Sequence, residues 1–307
     1  MNLSNLRITV VVYSCFMIIS TFCTEQDNFY FLFSHGIADS HKQAFNYLPP
    51  FSYNKKTAIV GKPLITFDYP DVSSNIFKIN RLQTSLAQDN EIQRLAQVFF
   101  SHIPLQKKCI LFGVSRGAST IINFMSLYNP TNVAALVLES PFDCVESIVA
   151  QLAEYSKVSW IPGIKRNGTN LMRFIFCKYK PDGIRPIDQV ASLAPDLPIL
   201  IICSTQDYLV PSWSSINLYK ILQETGHYNT HLLLLPEGEH AKLIKHERIG
   251  LLYQHVTHAF YQKYQLPHDP EYAQIGQDIF NVCQPSFDSL DLFYPSHRQE
   301  LKIRKKQ

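Results

Sequence analysis

Short, almost continuous apolar runs recur along the chain between residues 28 and 235. Each is about as long as a β-strand, and an unbroken apolar run is typical of a strand buried on both faces of its sheet. Between these runs apolar residues return with helical spacing, for example at Ile92, Leu95 and Phe99. The predicted strands are Asn28–Phe33, Pro63–Tyr69, Cys109–Phe112, Ala134–Glu139, Leu197–Cys203 and His231–Leu235.

The alternation of strands and helices predicts an α/β fold. We expect a mostly parallel sheet of about six strands, flanked by helices on both faces as a three-layer α/β/α domain at residues 24–265. Residues 144–197 form a long connection whose aromatic side chains either build a small cap over the site or pack in the core. Residues 266–307, which prolines interrupt, are a C-terminal extension that either packs back over the domain or stays mobile.

Residues 1–23 differ from the rest of the chain. Arg7 precedes an apolar stretch from Ile8 to Ile19, and small side chains such as Ser20 and Cys23 come before a polar segment. This layout is typical of a secretory signal, so we expect export to the periplasm or the extracellular space. The apolar stretch is shorter than the roughly 20 residues of a spanning helix, and an uncleaved membrane anchor is the alternative.

Charge and cysteine content limit the partners, metal sites and disulfide bonds that the chain could have. The formal net charge is +3 and charged residues make up 17% of the chain, which does not favour nucleic acid as a partner. Seven cysteines are too few for a disulfide framework, and no spacing of cysteines and histidines matches a zinc site. A bridge between Cys144 and Cys177 and a pair of free thiols are both open at this point.

One serine lies in the segment with the clearest chemistry. An apolar run leads into Gly113-Val114-Ser115-Arg116-Gly117, and a helix-like run follows. Glycines two residues before and two residues after the serine let a strand reverse tightly into a helix, which holds the serine in a strained conformation with its hydroxyl projecting. The pattern therefore predicts that Ser115 is the nucleophile of a nucleophile elbow.

With this elbow the chain resembles the α/β-hydrolase superfamily, and within it most closely the prolyl-oligopeptidase-type and small esterase-like domains. The resemblance covers about residues 28–264. It implies that the first two strands of the full eight-stranded sheet are missing, because the chain reaches the third-strand motif almost immediately after the predicted signal. The other segments that carry the resemblance are Ser34-His35-Gly36, Glu139-Ser140-Pro141-Phe142, Thr205-Gln206-Asp207-Tyr208-Leu209-Val210-Pro211 and Gly238-Glu239-His240.

The resemblance also implies an acid and a base for the serine. In the superfamily the nucleophile comes first along the chain, then the acid, then the base, which matches Ser115, Asp207 and His240. Asp143 is the rival acid, since it follows the preceding predicted strand and some relatives carry the acid there.

Two backbone N–H groups complete the implied site. Carried over from the superfamily, the donors of the oxyanion hole are the N–H groups of Ile37, after the His-Gly motif, and of Arg116, after the nucleophile. His35 is expected to be structural rather than catalytic. The residues that support the motifs are His35, Gly36, Gly113 and Gly117.

Together these residues imply acyl transfer to water through an acyl-enzyme, a reaction that requires no metal or organic cofactor. A small-molecule carboxylic ester or thioester is the first expected substrate, because its leaving group departs easily. A peptide is the nearest alternative, given the resemblance to oligopeptidase-type domains. A binding protein that keeps the fold without turnover is the second alternative.

Overall fold

The computed structural model describes residues 28–48, 63–72, 80–158 and 163–282. Its strands are β1 (Phe29–Ser34), β2 (Leu64–Thr66), β3 (Lys108–Val114), β4 (Val133–Glu139), β5 (Ile199–Ser204) and β6 (Thr230–Leu235). They form one sheet in the order β2-β1-β3-β4-β5-β6, with every neighbouring pair parallel. The parallel six-stranded sheet is thereby confirmed, although β2 is shorter than predicted.

Helices connect the strands. Within the described ranges the α-helices are α1 (Ala44–Tyr47), α2 (Asp89–His102), α3 (Arg116–Tyr128), α4 (Val145–Tyr155), α5 (Ile164–Ile175), α6 (Pro186–Gln189), α7 (Ser212–Glu224), α8 (Gly250–Lys263) and α9 (Pro270–Val282). The same ranges also contain short 3-10 turns at His41–Gln43, Val190–Ser192 and Leu243–Lys245.

The sheet is the middle of three layers. Successive residues of a strand point to opposite faces, so Leu111 packs in one apolar cluster and Phe112 in another. The first cluster includes Leu95 of α2, Ile121 of α3 and residues of α7, whereas the second includes Phe260 of α8. Burial on both faces explains why the strands read as unbroken apolar runs, and it confirms the three-layer α/β/α architecture.

The segment after Tyr264 is the main element that the sequence did not predict. Helix α9 packs along α8, and the contact is close enough that a Cβ on Gly276 would overlap the carbonyl oxygen of His255. Phe280 is buried, with its ring centroid 4.7 Å from that of His231 on β6. Residues 270–282 therefore pack back over the domain, which is one of the two expected arrangements.

The connection between β4 and β5 contains α4, α5 and α6. Helices α4 and α5 pack closely, since a Cβ on Gly168 would lie 2.5 Å from Cγ1 of Val149. The thiols of Cys144 and Cys177 are both free, the first buried and the second exposed. The structure thus has free thiols at these two positions, the second of the two possibilities that the sequence left open.

Two parts of the sequence interpretation fall outside the described residues: the predicted export signal at residues 1–23 and residues 283–307 of the C-terminal extension. Across the ranges that are described, the longest apolar helices remain too short or too polar to cross a membrane.

Candidate active site

Ser115 lies between the end of β3 and the start of α3, with φ of 54° and ψ of −118°. This positive φ is the strained conformation that the motif predicts for the serine. The glycines around it are required by close packing. A Cβ on Gly113 would lie 2.6 Å from Cα of Ala118, and a Cβ on Gly117 would overlap the carbonyl oxygen of Ser34. The elbow therefore fits its neighbours only with glycine at both positions.

His240 and Asp207 complete a chain of hydrogen bonds to Ser115. His240 Nε2 lies 2.8 Å from Ser115 Oγ, and His240 Nδ1 lies 2.7 Å from Asp207 Oδ2. All three side chains are buried, with between 2% and 8% of each residue exposed. Asp207 follows β5 and His240 follows β6, so three carboxyl ends of parallel strands bring the residues to one edge of the sheet.

The surroundings of Asp207 orient His240. Asp207 Oδ1 accepts hydrogen bonds from the backbone N–H groups of Leu209 and Val210, both at 2.9 Å. The second carboxylate oxygen is left for His240 Nδ1. Since a carboxylate only accepts hydrogen bonds, Nδ1 carries the proton and Nε2 presents its lone pair to the serine hydroxyl. This arrangement suits removal of the serine proton.

The rival acid, Asp143, belongs to a different network. Its Oδ1 accepts hydrogen bonds from the hydroxyls of Ser147 (2.5 Å) and Ser214 (2.6 Å), and its Oδ2 accepts one from Asn217 Nδ2 (3.0 Å). The backbone N–H of Cys144 donates a further bond. Burial raises the pKa of Asp143 above its usual range, although these donors work in the opposite direction. Asp143 joins α4 and α7, whereas the carboxylate bonded to His240 is that of Asp207.

The loop after β1 reaches the nucleophile through Gly36. A Cβ on Gly36 would lie 3.7 Å from Cβ of Ser115, and its N–H donates to Gln43 Oε1 at 2.8 Å. The structure therefore places the His-Gly segment beside the elbow, next to Ile37, one of the two proposed oxyanion donors.

His35 is buried and held on both ring nitrogens. Its Nε2 accepts a hydrogen bond from the N–H of Tyr69 at 3.2 Å, and its Nδ1 lies 2.7 Å from the carbonyl oxygen of Gly36. Burial, and to a smaller extent the Arg116 charge, lowers the pKa of His35 to about 4. The ring is therefore neutral at ordinary pH, with its proton on Nδ1, and its contacts are those of a structural residue.

Two features of the site were not predicted. The first is the side chain of Arg116, which is 1% exposed and forms an ion pair with Asp71. The second is Glu139 at the end of β4, whose backbone carbonyl accepts the N–H of Ser115 at 2.7 Å. The elbow motif assigns a role only to the backbone N–H of Arg116. The ion pair of its side chain was not predicted because Asp71 lies far away in the sequence.

Glu139 connects the elbow to the histidine loop through a tyrosine. The Tyr47 hydroxyl lies 2.9 Å from Glu139 Oε1 and 3.2 Å from the carbonyl oxygen of Ala241, the residue after His240. Burial raises the pKa of Glu139 to about 7, against the opposing influence of the hydrogen bond from Tyr47. A titratable carboxyl group thus lies beneath the site.

An apolar cluster adjoins the site on the side of α4 and α5. Two residues of the site loops pack against it: Ile37, in the loop after β1, and Leu209, in the loop that carries Asp207. Its buried members are Leu86, Ala87, Phe142, Val145, Val149, Tyr179 and Val210, and other partly buried members are Ile148, Met172 and Phe176. The connection between β4 and β5 therefore supplies apolar side chains next to the loops that carry Ser115 and its partners.

Comparisons with known proteins agree with this architecture. The model of the prolyl oligopeptidase family matches residues 167–266. Among solved structures, an esterase of Pyrococcus furiosus is 18% identical with a TM-score of 0.55, over 77% of this chain and 82% of that protein. A monoacylglycerol lipase of Paleococcus ferrophilus is 16% identical with a TM-score of 0.50, over 77% of this chain and 94% of the lipase.

The acylaminoacyl peptidase of Pyrococcus horikoshii is similar over part of its length. It is 14% identical with a TM-score of 0.53, over 78% of this chain but only 38% of the peptidase. A comparison with curated proteins found no match.

Proposed function

We propose that this chain, which has the α/β-hydrolase fold, is a serine hydrolase that cleaves carboxylic esters or thioesters through an acyl-enzyme. One observation carries the proposal: the continuous hydrogen-bonded path from Ser115 Oγ to His240 Nε2 and from His240 Nδ1 to Asp207. We assign Ser115 as the nucleophile, His240 as the general base and acid, and Asp207 as the carboxylate that orients the imidazole.

In the proposed reaction each of these residues has a separate role. His240 removes the proton of Ser115 as the hydroxyl attacks the carbonyl carbon, and Asp207 stabilises the imidazolium that forms. The backbone N–H groups of Ile37 and Arg116 are the proposed donors to the oxyanion. His240 then protonates the leaving group, and an activated water molecule releases the acyl group from the serine in the same way.

The apolar cluster beside the site supports an acyl group as the part of the substrate that is bound. Ile37 follows Gly36, which lies against Ser115, and the N–H of Leu209 bonds Asp207; both residues pack against the cluster that includes side chains of α4 and α5. Pockets for small substrates are lined mostly by such residues, with a few polar groups that fix the orientation. Esters are favoured over amides because an alkoxide or phenoxide leaves more easily than the anion of an amine.

A peptidase is the second candidate. It is supported by the match of residues 167–266 to the prolyl oligopeptidase family and by the similarity in fold to an acylaminoacyl peptidase. Paired substrates separate the two candidates: a p-nitrophenyl ester and a p-nitroanilide that carry the same acyl group. The ester proposal expects turnover of the ester series and little turnover of the anilides, and the reverse preference would establish the peptidase.

Labelling with a fluorophosphonate probe tests the nucleophile directly. We expect the full chain to be labelled and Ser115→Ala to be unlabelled. Ser126→Ala is the matched control, since Ser126 lies on the same helix but bonds to Gln189 and Ser192 instead. Its labelling should equal that of the unaltered protein. If folded protein is not labelled at all, the alternative of a non-catalytic binding protein is favoured and the hydrolase proposal fails.

We also propose that the protein is exported, on the strength of Arg7 and the apolar residues that follow it. N-terminal sequencing of the protein recovered outside the cytosol should give a start near residue 24. An intact Met1 in the membrane fraction would establish the anchored alternative, and an intact Met1 in the cytosol would overturn both.

A further inference from the structure

Arg116 has a buried side chain beside the proposed nucleophile, although arginine is rarely buried without a specific partner. Its Nη2 donates a hydrogen bond to the carbonyl oxygen of Gly36 at 3.2 Å. We propose that Arg116 is a positioning residue whose side chain holds the Gly36–Ile37 peptide so that the Ile37 N–H faces the oxyanion formed at Ser115. The inference rests on the proposed function, in which only the backbone of Arg116 has a role.

The peptide group that joins Gly36 and Ile37 is held from the side of its carbonyl oxygen. In a trans peptide the C=O and the following N–H point in opposite directions. Two groups hold the Gly36 oxygen on one side, Arg116 Nη2 at 3.2 Å and His35 Nδ1 at 2.7 Å. The Ile37 N–H therefore points away from both. Because Gly36 lies against Ser115, fixing the carbonyl also fixes the direction of the proposed donor.

The guanidinium group is itself held in place by buried groups. Arg116 forms an ion pair with Asp71, and its Nη1 lies 3.5 Å from Glu91 Oε1. Its Cζ lies 4.5 Å from the centre of the Tyr69 ring. Arg116, Asp71, Glu91 and Tyr69 are each at most 2% exposed. A buried charge with its partners around it keeps one geometry, since any other would leave a charge unpaired in a medium of low polarity.

This arrangement joins the two proposed oxyanion donors through one residue. The backbone of Arg116 provides one N–H, and its side chain orients the peptide that provides the other. A cation at the Gly36 oxygen also polarises that peptide, which makes the Ile37 N–H a stronger donor. Preorganised donors of this kind act where charge develops in the transition state, so the expected effect is on kcat rather than on KM.

A pair of substrates tests the orientation of the donor. A p-nitrophenyl ester develops charge on oxygen, whereas the matching thionoester develops it on sulfur, which accepts weaker hydrogen bonds. Arg116→Lys keeps a cation beside Asp71 but lacks the planar guanidinium group, which bonds Asp71 and the Gly36 oxygen through different nitrogens. In this variant we expect kcat for the oxoester to fall about 10- to 100-fold. The thionoester should lose at most about threefold, so the ratio of the two rates falls.

Control variants separate this effect from a general loss of structure. Asp207→Asn should slow both substrates by a similar factor, because it acts on the histidine. Arg185→Lys, at an arginine that pairs with Asp188 elsewhere in the chain, should change neither rate. If Arg116→Lys does not fold, the double variant Arg116→Gln with Asp71→Asn keeps the net charge of the pair and should lower the same ratio. An equal loss for both substrates would overturn the inference.

A spectroscopic measurement is independent of turnover. Labelling with 1-¹³C-glycine and ¹⁵N-isoleucine gives correlations only from Gly36–Ile37, Gly163–Ile164 and Gly183–Ile184, and Ile37→Val identifies the first.

In the unaltered protein the ¹³C signal of the Gly36 carbonyl should lie furthest downfield of the three, because this carbonyl accepts two hydrogen bonds. In Arg116→Lys only this signal should move upfield. A Gly36 signal that is ordinary in the unaltered protein would overturn the inference, even if Ser115 is labelled. A shifted signal in a protein without Ser115 labelling would instead retain the inference and reject the hydrolase.

Discussion

Two aspartates follow neighbouring parallel strands and end in very different surroundings. Asp143 comes after β4 and Asp207 after β5, and both are at most 2% exposed. Asp143 accepts bonds on both oxygens from serine, asparagine and backbone donors of α4 and α7. Asp207 accepts two backbone bonds on one oxygen and keeps the other for His240. The comparison shows that the surrounding donors, and not burial or place in the fold, distinguish the two carboxylates.

The largest expected difference is in activity. Asp207→Asn should lower kcat for a p-nitrophenyl ester by about 10⁴-fold, because an amide favours the wrong imidazole tautomer. Thermal unfolding should change little, since the asparagine can still accept from Leu209 and Val210. Comparing kcat and Tm with those of Asp143→Asn checks this. A greater loss of kcat in Asp143→Asn would reverse the assignment of the acid.

Asp143→Asn should instead affect stability. The new amide keeps one oxygen for the serine hydroxyls but places its NH2 group against the Asn217 amide, which leaves buried donors facing each other without an acceptor. We expect the free energy of unfolding to fall by about 1–3 kcal/mol, while kcat/KM of the folded protein stays within about threefold. Urea unfolding followed by tryptophan fluorescence measures the first quantity. A normal stability with a large loss of activity would contradict the structural role.

Glu139 is a further buried carboxyl group at this edge, and it extends the comparison to the dependence of stability on pH. Its pKa is about 7 in the folded protein against an ordinary 4.5, so the folded state binds this proton more tightly than the unfolded state does. Its contribution to stability is complete below about pH 4.5 and is lost as the pH rises toward 7. The decline amounts to about 3 kcal/mol at most.

Glu139→Gln should remove that decline. The free energy of unfolding of both proteins is measured from pH 5 to pH 8, and the two curves are subtracted. The subtraction removes the contribution of His35, which is the same in both proteins. Because the pKa of His35 is lowered in the folded state, that contribution makes stability fall as the pH drops from about 6.5 to 4. A difference that does not change with pH would show that Glu139 is ionised throughout this range.

The smallest expected effect is at Gln151 on α4, the helix that also carries Ser147. Gln151 Nε2 donates to the backbone carbonyl of Asp207 at 3.2 Å, a long and partly buried bond. Gln151→Ala should lower stability by about 0.5–1 kcal/mol and leave kcat/KM within about twofold. A tenfold loss of kcat/KM would mean that α4 positions the acid loop and would weaken the contrast between the two aspartates.

The sequence predicts those features that leave a local pattern. Strands such as β3 and β5 are buried on both faces, so their composition marks them, and the glycines around Ser115 mark the turn because their neighbours leave no room for a side chain. The resemblance to known hydrolases pointed to Asp207 and His240. The structure agrees to the extent that their side chains form one hydrogen-bonded chain with Ser115.

Features that depend on distant pairings were not predictable. Arg116 meets Asp71 across 45 positions of the chain, and Tyr47 meets Glu139 across 92. The number of donors around Asp143 became visible only when α4 and α7 came together. Helix α9 was missed because Pro267 and Pro270 suggested a broken segment, whereas Pro270 is the first residue of the helix, where a missing N–H costs nothing.

The close contact between α9 and α8 also bears on how the protein can be shortened. The family match ends at residue 266, but the buried surface continues as far as Phe280. A chain cut at the end of the match would uncover Phe260 and His231 and leave an apolar strip on the outer layer. Truncated versions made for expression or crystallisation should therefore extend at least to Val282, since shorter ones would be expected to aggregate.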